Sequence, residues 1–593
     1  MLSLAQYGTA EALERYLGDP GNPENVFSFK HSIDLDERDE YPEEICQLLN
    51  QWGVYEYYIP VGYGGKLTSF EEMLSIARTI ARRDLTVAIA HGCTYLGAVP
   101  IWIAGTDQQK KTLAQRIKNR EQISFGLTEK DHGSDILGNE TKAEPVEGGY
   151  LLSGEKWLIG NASRSKALAL FARSNPKGGP RGFSLFMVEK EALAPSSYLH
   201  LPKIKTHGLR GANISGISFA ESFVPAEAPI GSMGSGLELI LKAFQITRTL
   251  HAGAAPSLGQ ADTALRVTLN FVLNRKLYGG TVWDIPHARN ALVDAFVDIL
   301  ICDCLSIGAA RAIHAATEQM SLFSAIVKYF VPTTVDDLIR RLSAILGARY
   351  YLREEHCWGI FQKILRDHAI VGVFDGSTAV NLHGINLQLV QLASFRSQIN
   401  TNEYRKIQER LEVIFSLEKE LPDFEPEKLD LYNRGRDDIV QGIQIALSSL
   451  YELKESSEVP ADILQNLISL THKIIKAIDS QQSIISELGS AEAYKLSKSP
   501  ELFEMAKNYC ALHAAAACLN IWLYNRKGLG EFFSRGEWLV LCLHRLMKGL
   551  APSLDSLPEA YTENVAEEIM KLYKQDKLFS IIPFQLAHSE KAS

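Results

Sequence analysis

Two stretches decide how this chain is read: S124-F125-G126-L127-T128-E129-K130-D131-H132-G133-S134-D135 and, about 240 residues later, R366-D367-H368-A369-I370-V371-G372-V373-F374-D375-G376-S377-T378. Ile123, Phe125 and Leu127 alternate as in a strand, which then breaks into a loop of Thr, charged residues and a Gly-Ser pair. Such a loop turns backbone N–H groups and small hydroxyls toward a ligand. The second stretch reads as a short apolar strand or helix end that delivers one carboxylate, Asp375, beside Gly376, where the backbone can be approached closely. One stretch is suited to hold something flat and polar, the other to deliver a base.

In this order and setting the pair resembles the acyl-CoA dehydrogenase family of flavoenzymes. That family carries T-E-P-x-A-G-S-D under the flavin and R-D followed by Y-E-G-T, whose Glu is the catalytic base. Here the motifs read T128-E129-K130-D131-H132-G133-S134-D135 and R366-D367 followed by F374-D375-G376-S377. The resemblance implies a mainly α fold with an inserted β domain. Residues 1–120 are expected to form an N-terminal helical domain and 121–235 a middle, β-barrel-like domain serving as flavin and thioester platform. Residues 236–395 are expected to form a C-terminal four-helix bundle carrying the base, and 396–593 an extra helical extension similar to that of very-long-chain members.

The implied cofactor is FAD. Leu127 and Thr128 match positions that contact the flavin pyrimidine edge, and Ser134, after Gly133, matches the serine near flavin and thioester. The family's G-E-K-x-W-I-T-N reads G154-E155-K156-W157-L158-I159-G160-N161, making Leu158, Ile159 and Gly160 cofactor positions. The family's Trp falls on Leu158 and its Thr on Gly160. Trp157, displaced by one, is expected on the opposite strand face, and the Thr hydroxyl contact is absent. Arg248 sits where the family has an Arg on the long helix beside the active site, and with Ser134 and Gly376 it is assigned to substrate binding. Arg275, in N274-R275-K276-L277-Y278-G279, matches the R-x-x-F-G motif whose Arg reaches the FAD pyrophosphate of a neighbouring subunit; its planar fork suits phosphate oxygens. Ser377 is expected to hydrogen-bond on the adenine side. The Gln after that motif falls near Pro286 and His287, and Q-x-x-G-G-x-G-Y becomes A344-I345-L346-G347-A348-R349-Y350-Y351, so looser adenine contacts are expected.

The reaction implied is proton removal from Cα of an acyl thioester by Asp375 and hydride transfer from Cβ to flavin N5, giving a trans-2-enoyl thioester on CoA or an acyl-carrier protein. A thioester α-proton is far too weak an acid for a free carboxylate, so the site must stabilise the enolate and tune the base. Asp reaches one methylene less far than Glu, which leaves three readings: a backbone moved to compensate, a different substrate, or lost activity. The alternative base position of some members, just before the long-helix Arg, is Thr247 here. Nitroalkane oxidases of the same superfamily pair an Asp base with an Arg about two turns later, and residues 376–390 contain no Arg. The alternatives retained are a flavin oxidase and a dehydrogenase-fold scaffold or binding protein. The implied partners are the thioester, an electron-transfer flavoprotein or oxygen, and a second or further copies in a homodimer or homotetramer. The implied setting is fatty acid metabolism.

Composition bounds the rest. With 593 residues several domains are expected, and a 46% hydrophobic and 22% charged composition is that of ordinary globular protein. A net charge of −9 offers no basic footprint for nucleic acid. The eight Cys are scattered, with Cys302 and Cys304 the only close pair. They match no zinc spacing or disulfide framework, so no metal is expected and the cytoplasm is the expected compartment. No secretory pattern opens the chain, and no stretch is expected to reach the roughly 20 apolar residues of a membrane span. Residues 511–524 and 291–310, interrupted by His513 and by Asp294, Asp298 and Asp303, read as buried helices.

Outward from the motifs, residues 41–54 and 70–83 have helical spacing around a turn at I59-P60-V61-G62-Y63-G64-G65, and Thr106 is placed to cap a helix. Residues 142–157, with G148-G149, read as a hairpin, and 168–172, 182–188 and 217–223 as further strands. Residues 237–277 carry one continuous helical stripe. Residues 417–437 read as a linker by composition. Beyond them Ile463, Leu464, Leu467, Ile468, Thr471, Ile474, Ile475 and Ile478 make a stripe that packs as core.

Overall fold

The computed structural model describes residues 5–456, 458–495, 499–551 and 554–587. By packing the chain divides into two units, one of residues 20–68 and 83–247 and the other of residues 1–19, 69–82 and 248–593.

In the first unit helix Glu43–Trp52 stops at Gly53, whose φ of 97° closes the last turn. Thr106 and Gln109 form a reciprocal capping box at the start of helix Asp107–Lys118, as the sequence predicts. Eight strands follow: β1 (Ile123–Gly126), β2 (Lys142–Val146), β3 (Gly149–Gly160), β4 (Ala167–Arg173), β5 (Phe183–Glu189), β6 (Tyr198–Leu201), β7 (Ile214–Pro225) and β8 (Pro229–Ile230). They form one sheet in the order β6-β7-β3-β2-β4-β5-β8, with β1 parallel to β4. The β2–β3 hairpin turns at Gly148, at φ 78°. Leu152, Leu168, Leu170, Phe186, Val188 and Phe219 lie in the apolar core of this sheet.

One expectation about membrane spans is corrected here. Helix Leu85–Ala104 is long and apolar enough to cross a bilayer by length and composition, but 61% of its apolar window is buried and it packs on β1. Its hydrophobicity all round is that of a core helix.

The second unit is helical. Helix Phe70–Ala81 packs against helices Ala254–Asn274 and Pro286–Ala315, so the N-terminal segment supplies part of the bundle. The expected stripe over 237–277 is two helices, Gly236–Thr249 and Ala254–Asn274. The chain breaks at Gly253, where a Cβ would stand 2.4 Å from the Arg248 carbonyl oxygen. The two stretches read as buried helices lie within helices Pro286–Ala315 and Pro500–Asn525, whose residues there are largely buried. The stripe at 463–478 is buried within helix Ala461–Lys495.

The segment 417–437 is not a free linker. Arg311, 1% exposed, donates to the carbonyls of Ile414 (2.7 Å), Val413 (3.0 Å), Ser416 (2.8 Å) and Lys419 (2.9 Å), and pairs with Glu71 at 2.6 Å. His314 donates to the Pro422 carbonyl, and Phe424 meets Phe70 edge to face. Composition marks residues that cannot form a helix here, but the carbonyls of Lys419 and Pro422 within the segment, and those of the helix end just before it, are taken by buried side chains. Removing one partner of a buried pair leaves the other charge stranded, at a cost of about 3–5 kcal/mol. Arg311→Met is expected to lower the unfolding free energy by about that amount in urea titration, and the Glu71→Gln/Arg311→Met double variant by less than the sum of the two singles.

Candidate functional site

The platform loop in the first unit starts where β1 ends. Leu127 is buried, Thr128 half-buried, and Gly133 and Ser134 are exposed, with open space where a Gly133 side chain would project. Two buried charges that the motifs contain, but to which sequence reasoning gave no role, hold this loop. Glu129 accepts from Lys156 Nζ (2.7 Å), from the Thr141 N–H and hydroxyl (2.9 and 2.6 Å) and from the Glu140 N–H (2.7 Å). Lys156, fully buried on β3, also donates to the Leu127 carbonyl (3.1 Å) and to Asn139 Oδ1 (2.6 Å). Burial drives the Lys156 ammonium down to about 8, against the pull of Glu129. Burial pushes Glu129 up, but Lys156 and the Glu140 N–H outweigh it and leave the carboxyl below its ordinary value. For Lys156 the signal was present in the sequence, a charge inside a run that reads as strand; Glu129 lay among the charges of a loop.

β3 carries the next three predicted positions. The Trp157 N–H donates to the Thr128 carbonyl at 2.9 Å, tying strand to loop. The pairing of β3 with β7 shifts register between Lys156 and Ile159, and Leu158 there adopts φ 57°. The opposite-face expectation for Trp157 assumes an unbroken two-residue period, which the bulge interrupts. Lys156 and Ile159 are both buried, while Trp157 is half-buried and Leu158 is 41% exposed. At Gly160 a Cβ would stand 2.4 Å from Cys93 Sγ, so this backbone has no room for the Thr of the family pattern.

The base stretch lies in the second unit. Helix Ile360–His368 ends, residues 369–376 turn, and helix Thr378–Asn386 begins; the strand alternative is not realised. Asp375, partly buried, and Gly376 sit side by side at φ 53° and 95°. Arg248, 9% exposed, donates from Nε to the Asp375 carbonyl at 2.6 Å, and its Nη2 would stand 2.4 Å from a Cβ on Gly376. Burial lowers Arg248 to about 10, opposed by the Asp375 carboxylate. The structure thus brings Arg248, Asp375 and Gly376 together and shows Arg248 gripping the turn that carries the other two. Ser377 caps helix Thr378–Asn386, its Oγ accepting from the Val380 N–H, and Asn381 donates to the Gly376 and Ser377 carbonyls at 2.9 Å each. Lys328, which sequence reasoning missed, donates to the Ala252 and Val371 carbonyls on the same turn system.

The segments at 274–279 and 347–351, which the sequence relates to the cofactor, are largely exposed. Arg275 caps helix Ala254–Asn274 and precedes a hairpin turning at Tyr278 and Gly279, where Tyr278 is 98% exposed. Residues 347–351 form a single 3-10 turn with Tyr351 78% exposed. Among the described residues no cluster of His, Cys, Asp and Glu is arranged to hold a metal ion, and none of the eight Cys is in a disulfide.

Models of the acyl-CoA dehydrogenase N-terminal, middle and C-terminal domains match residues 28–121, 124–222 and 234–389, together more than half of the chain. A probable acyl-CoA dehydrogenase of Mycobacterium tuberculosis is 23% identical over 351 residues, covering 59% of this chain and 88% of that protein. A cyclohex-1-ene-1-carbonyl-CoA dehydrogenase of Geobacter metallireducens is 23% identical over 59% of this chain and 90% of its own. Butyryl-CoA dehydrogenase from Megasphaera elsdenii shares the fold with a TM-score of 0.58 at 23% identity, over 64% of this chain and 97% of that one. A prolyl acyl-carrier-protein oxidase does so with a TM-score of 0.58 at 19% identity, over 64% and 97%.

The crowding at Gly160 gives a direct test. Gly160→Thr is expected to cost about 1–3 kcal/mol by overpacking against Cys93, seen as a lower thermal midpoint. Most of that loss should return in Gly160→Thr/Cys93→Ala, and a Gly160→Thr variant as stable as the parent would contradict the packing described.

Proposed function

We propose, from the premise that this chain belongs to the acyl-CoA dehydrogenase family, that it oxidises an acyl thioester to its trans-2-enoyl form with Asp375 as the base. The observation that carries this reading is the base turn: a carboxylate on strained backbone, held by a buried Arg248.

The residues present fit the flavin ring. An open Gly133–Ser134 loop, a half-buried Thr128 and the exposed apolar Leu158 offer polar backbone and an apolar surface on one platform. Leu127, Thr128, Gly133, Ser134, Leu158, Ile159 and Gly160 would hold the ring, with Arg275 and Ser377 toward the phosphates and adenine. FAD, when bound, supplies the acceptor for the hydride that leaves Cβ.

The chain's own contribution is the proton. Asp375 removes it from Cα, and the thioester oxygen, which gains charge as the enolate forms, needs donors from the protein. Of the three readings of Asp for Glu, backbone compensation has support. A non-Gly residue at φ 53° is uncommon and costs on the order of 1–3 kcal/mol. Such strain persists only where surrounding bonds enforce it, and Arg248 and Asn381 bind the carbonyls of Asp375 and Gly376. The bent turn places the shorter side chain. Ser134 contacts the thioester, and Arg248 acts on substrate by fixing Asp375 and Gly376. The thioester is carried on CoA or an acyl-carrier protein, and electrons leave to an electron-transfer flavoprotein or oxygen.

The purified protein is expected to show a flavin band near ~450 nm that bleaches on anaerobic addition of an acyl thioester. Asp375→Asn should keep the band and lose bleaching by about 10²–10⁴-fold in rate. A colourless protein that takes up no added FAD would sink the reading.

A further inference from the structure

Lys328 lies inside helix Met320–Leu346, in the apolar run S324-A325-I326-V327-K328-Y329-F330-V331, and is fully buried. Its ammonium donates to two backbone carbonyls, Ala252 at 2.5 Å and Val371 at 2.6 Å, and stands 4.3 Å from the centre of the Phe374 ring. Ala252 belongs to the break that follows Arg248, while Val371 and Phe374 belong to the turn that ends in Asp375. An apolar side chain would fill this space without the desolvation that a buried charge entails. The charge is therefore used for something besides packing.

Two charged groups face it. The Asp375 carboxylate favours the protonated ammonium and Arg248 opposes it, while burial, the largest influence, lowers Lys328 to about 7. Through the same coupling, a cation at Lys328 favours an ionised carboxylate at Asp375.

We propose that Lys328 is a positioning residue for the base: by gripping the Ala252 and Val371 carbonyls beneath the Phe374 ring, its ammonium fixes the turn that presents Asp375 and keeps that carboxylate ionised. The inference rests on the reading of Asp375 as the α-proton base. Lys328 donates its strongest bonds while protonated. As pH rises through about 7 the amine becomes neutral, both carbonyl bonds lose their charge assistance, and the turn loosens.

The test follows α-proton exchange of the acyl thioester into D2O by NMR, on FAD-loaded protein under anaerobic conditions, across pH. Lys328→Met is expected to lower the maximal exchange rate at least ~10-fold, with the half-saturating thioester concentration within about twofold. Its acid limb should move to higher pH by about one unit, because the facing cation is gone. Lys328→Arg, cationic at every pH used, should restore the acid limb. An unmoved acid limb in Lys328→Met overturns the proposal, even if the overall rate falls with the folded fraction.

If Lys328→Met does not fold, wild type and Lys328→Arg decide. Wild type should lose exchange above about pH 7 and Lys328→Arg should not. A wild-type rate that keeps rising, or an alkaline loss that persists in Lys328→Arg and so belongs to a group such as Lys156, overturns the proposal. The underlying reading fails separately: if wild type neither exchanges nor bleaches, or Asp375→Asn exchanges normally, Asp375 is not the base and the proposal falls with it.

Discussion

Irregular backbone taken into a protein interior must have its carbonyls met, and in this chain buried cations meet them. Lys156 reaches the Leu127 carbonyl, Lys328 those of Ala252 and Val371, Arg248 that of Asp375, and Arg311 four at the entry to the C-terminal extension. These carbonyls lie in loops, in turns or in the last turn of a helix, where no ladder partner follows. A cation serves several acceptors at once and bonds more strongly than a neutral donor. Lys156 and Arg311 are balanced by Glu129 and Glu71, while Lys328 relies chiefly on carbonyls and a ring face. Burial lowers both lysines, Lys328 to about 7 and Lys156 to about 8.

Strain accompanies the same places. Leu158 at the bulge of β3 and Asp375 at the base turn both occupy positive φ, which a side chain makes unfavourable. The bulge turns Leu158 outward while keeping Lys156 in the core, so one strand holds the buried pair and also offers an apolar surface beside the platform loop. At Asp375 the bend sits next to Gly376 and under Arg248.

The C-terminal extension shows a related economy. Helix Pro500–Asn525 packs on Pro286–Ala315 and Thr378–Asn386, so the helix that follows the base turn has the extension as a neighbour. The tail beyond it is pinned to the same unit: Asp262 accepts from the Phe579 N–H, Asp303 from the Ile581 N–H, and Arg78 donates to the Phe579 carbonyl. The extension is thus part of the unit that carries Asp375.

Much of this was legible in the residues. Hydrophobic period, Gly and Pro placement and Thr106 marked the helices and strands, and the two motifs pointed to the family. What the sequence misplaced it misplaced for physical reasons. A period-two argument cannot see the bulge after Lys156; a stripe cannot see the crowding at Gly253 that divides it; composition cannot see Arg311 binding a supposed linker. Leu85–Ala104 escaped notice as a long apolar helix because small and polar residues are interleaved in it. The sequence by itself determined which residues are available and in what order: one Asp at the base position, Gly at 160, and charges at 129, 156, 248 and 328. Only the tertiary structure decided what those charges face, because the burial and the carbonyls that set their bonding come from segments far apart in the chain.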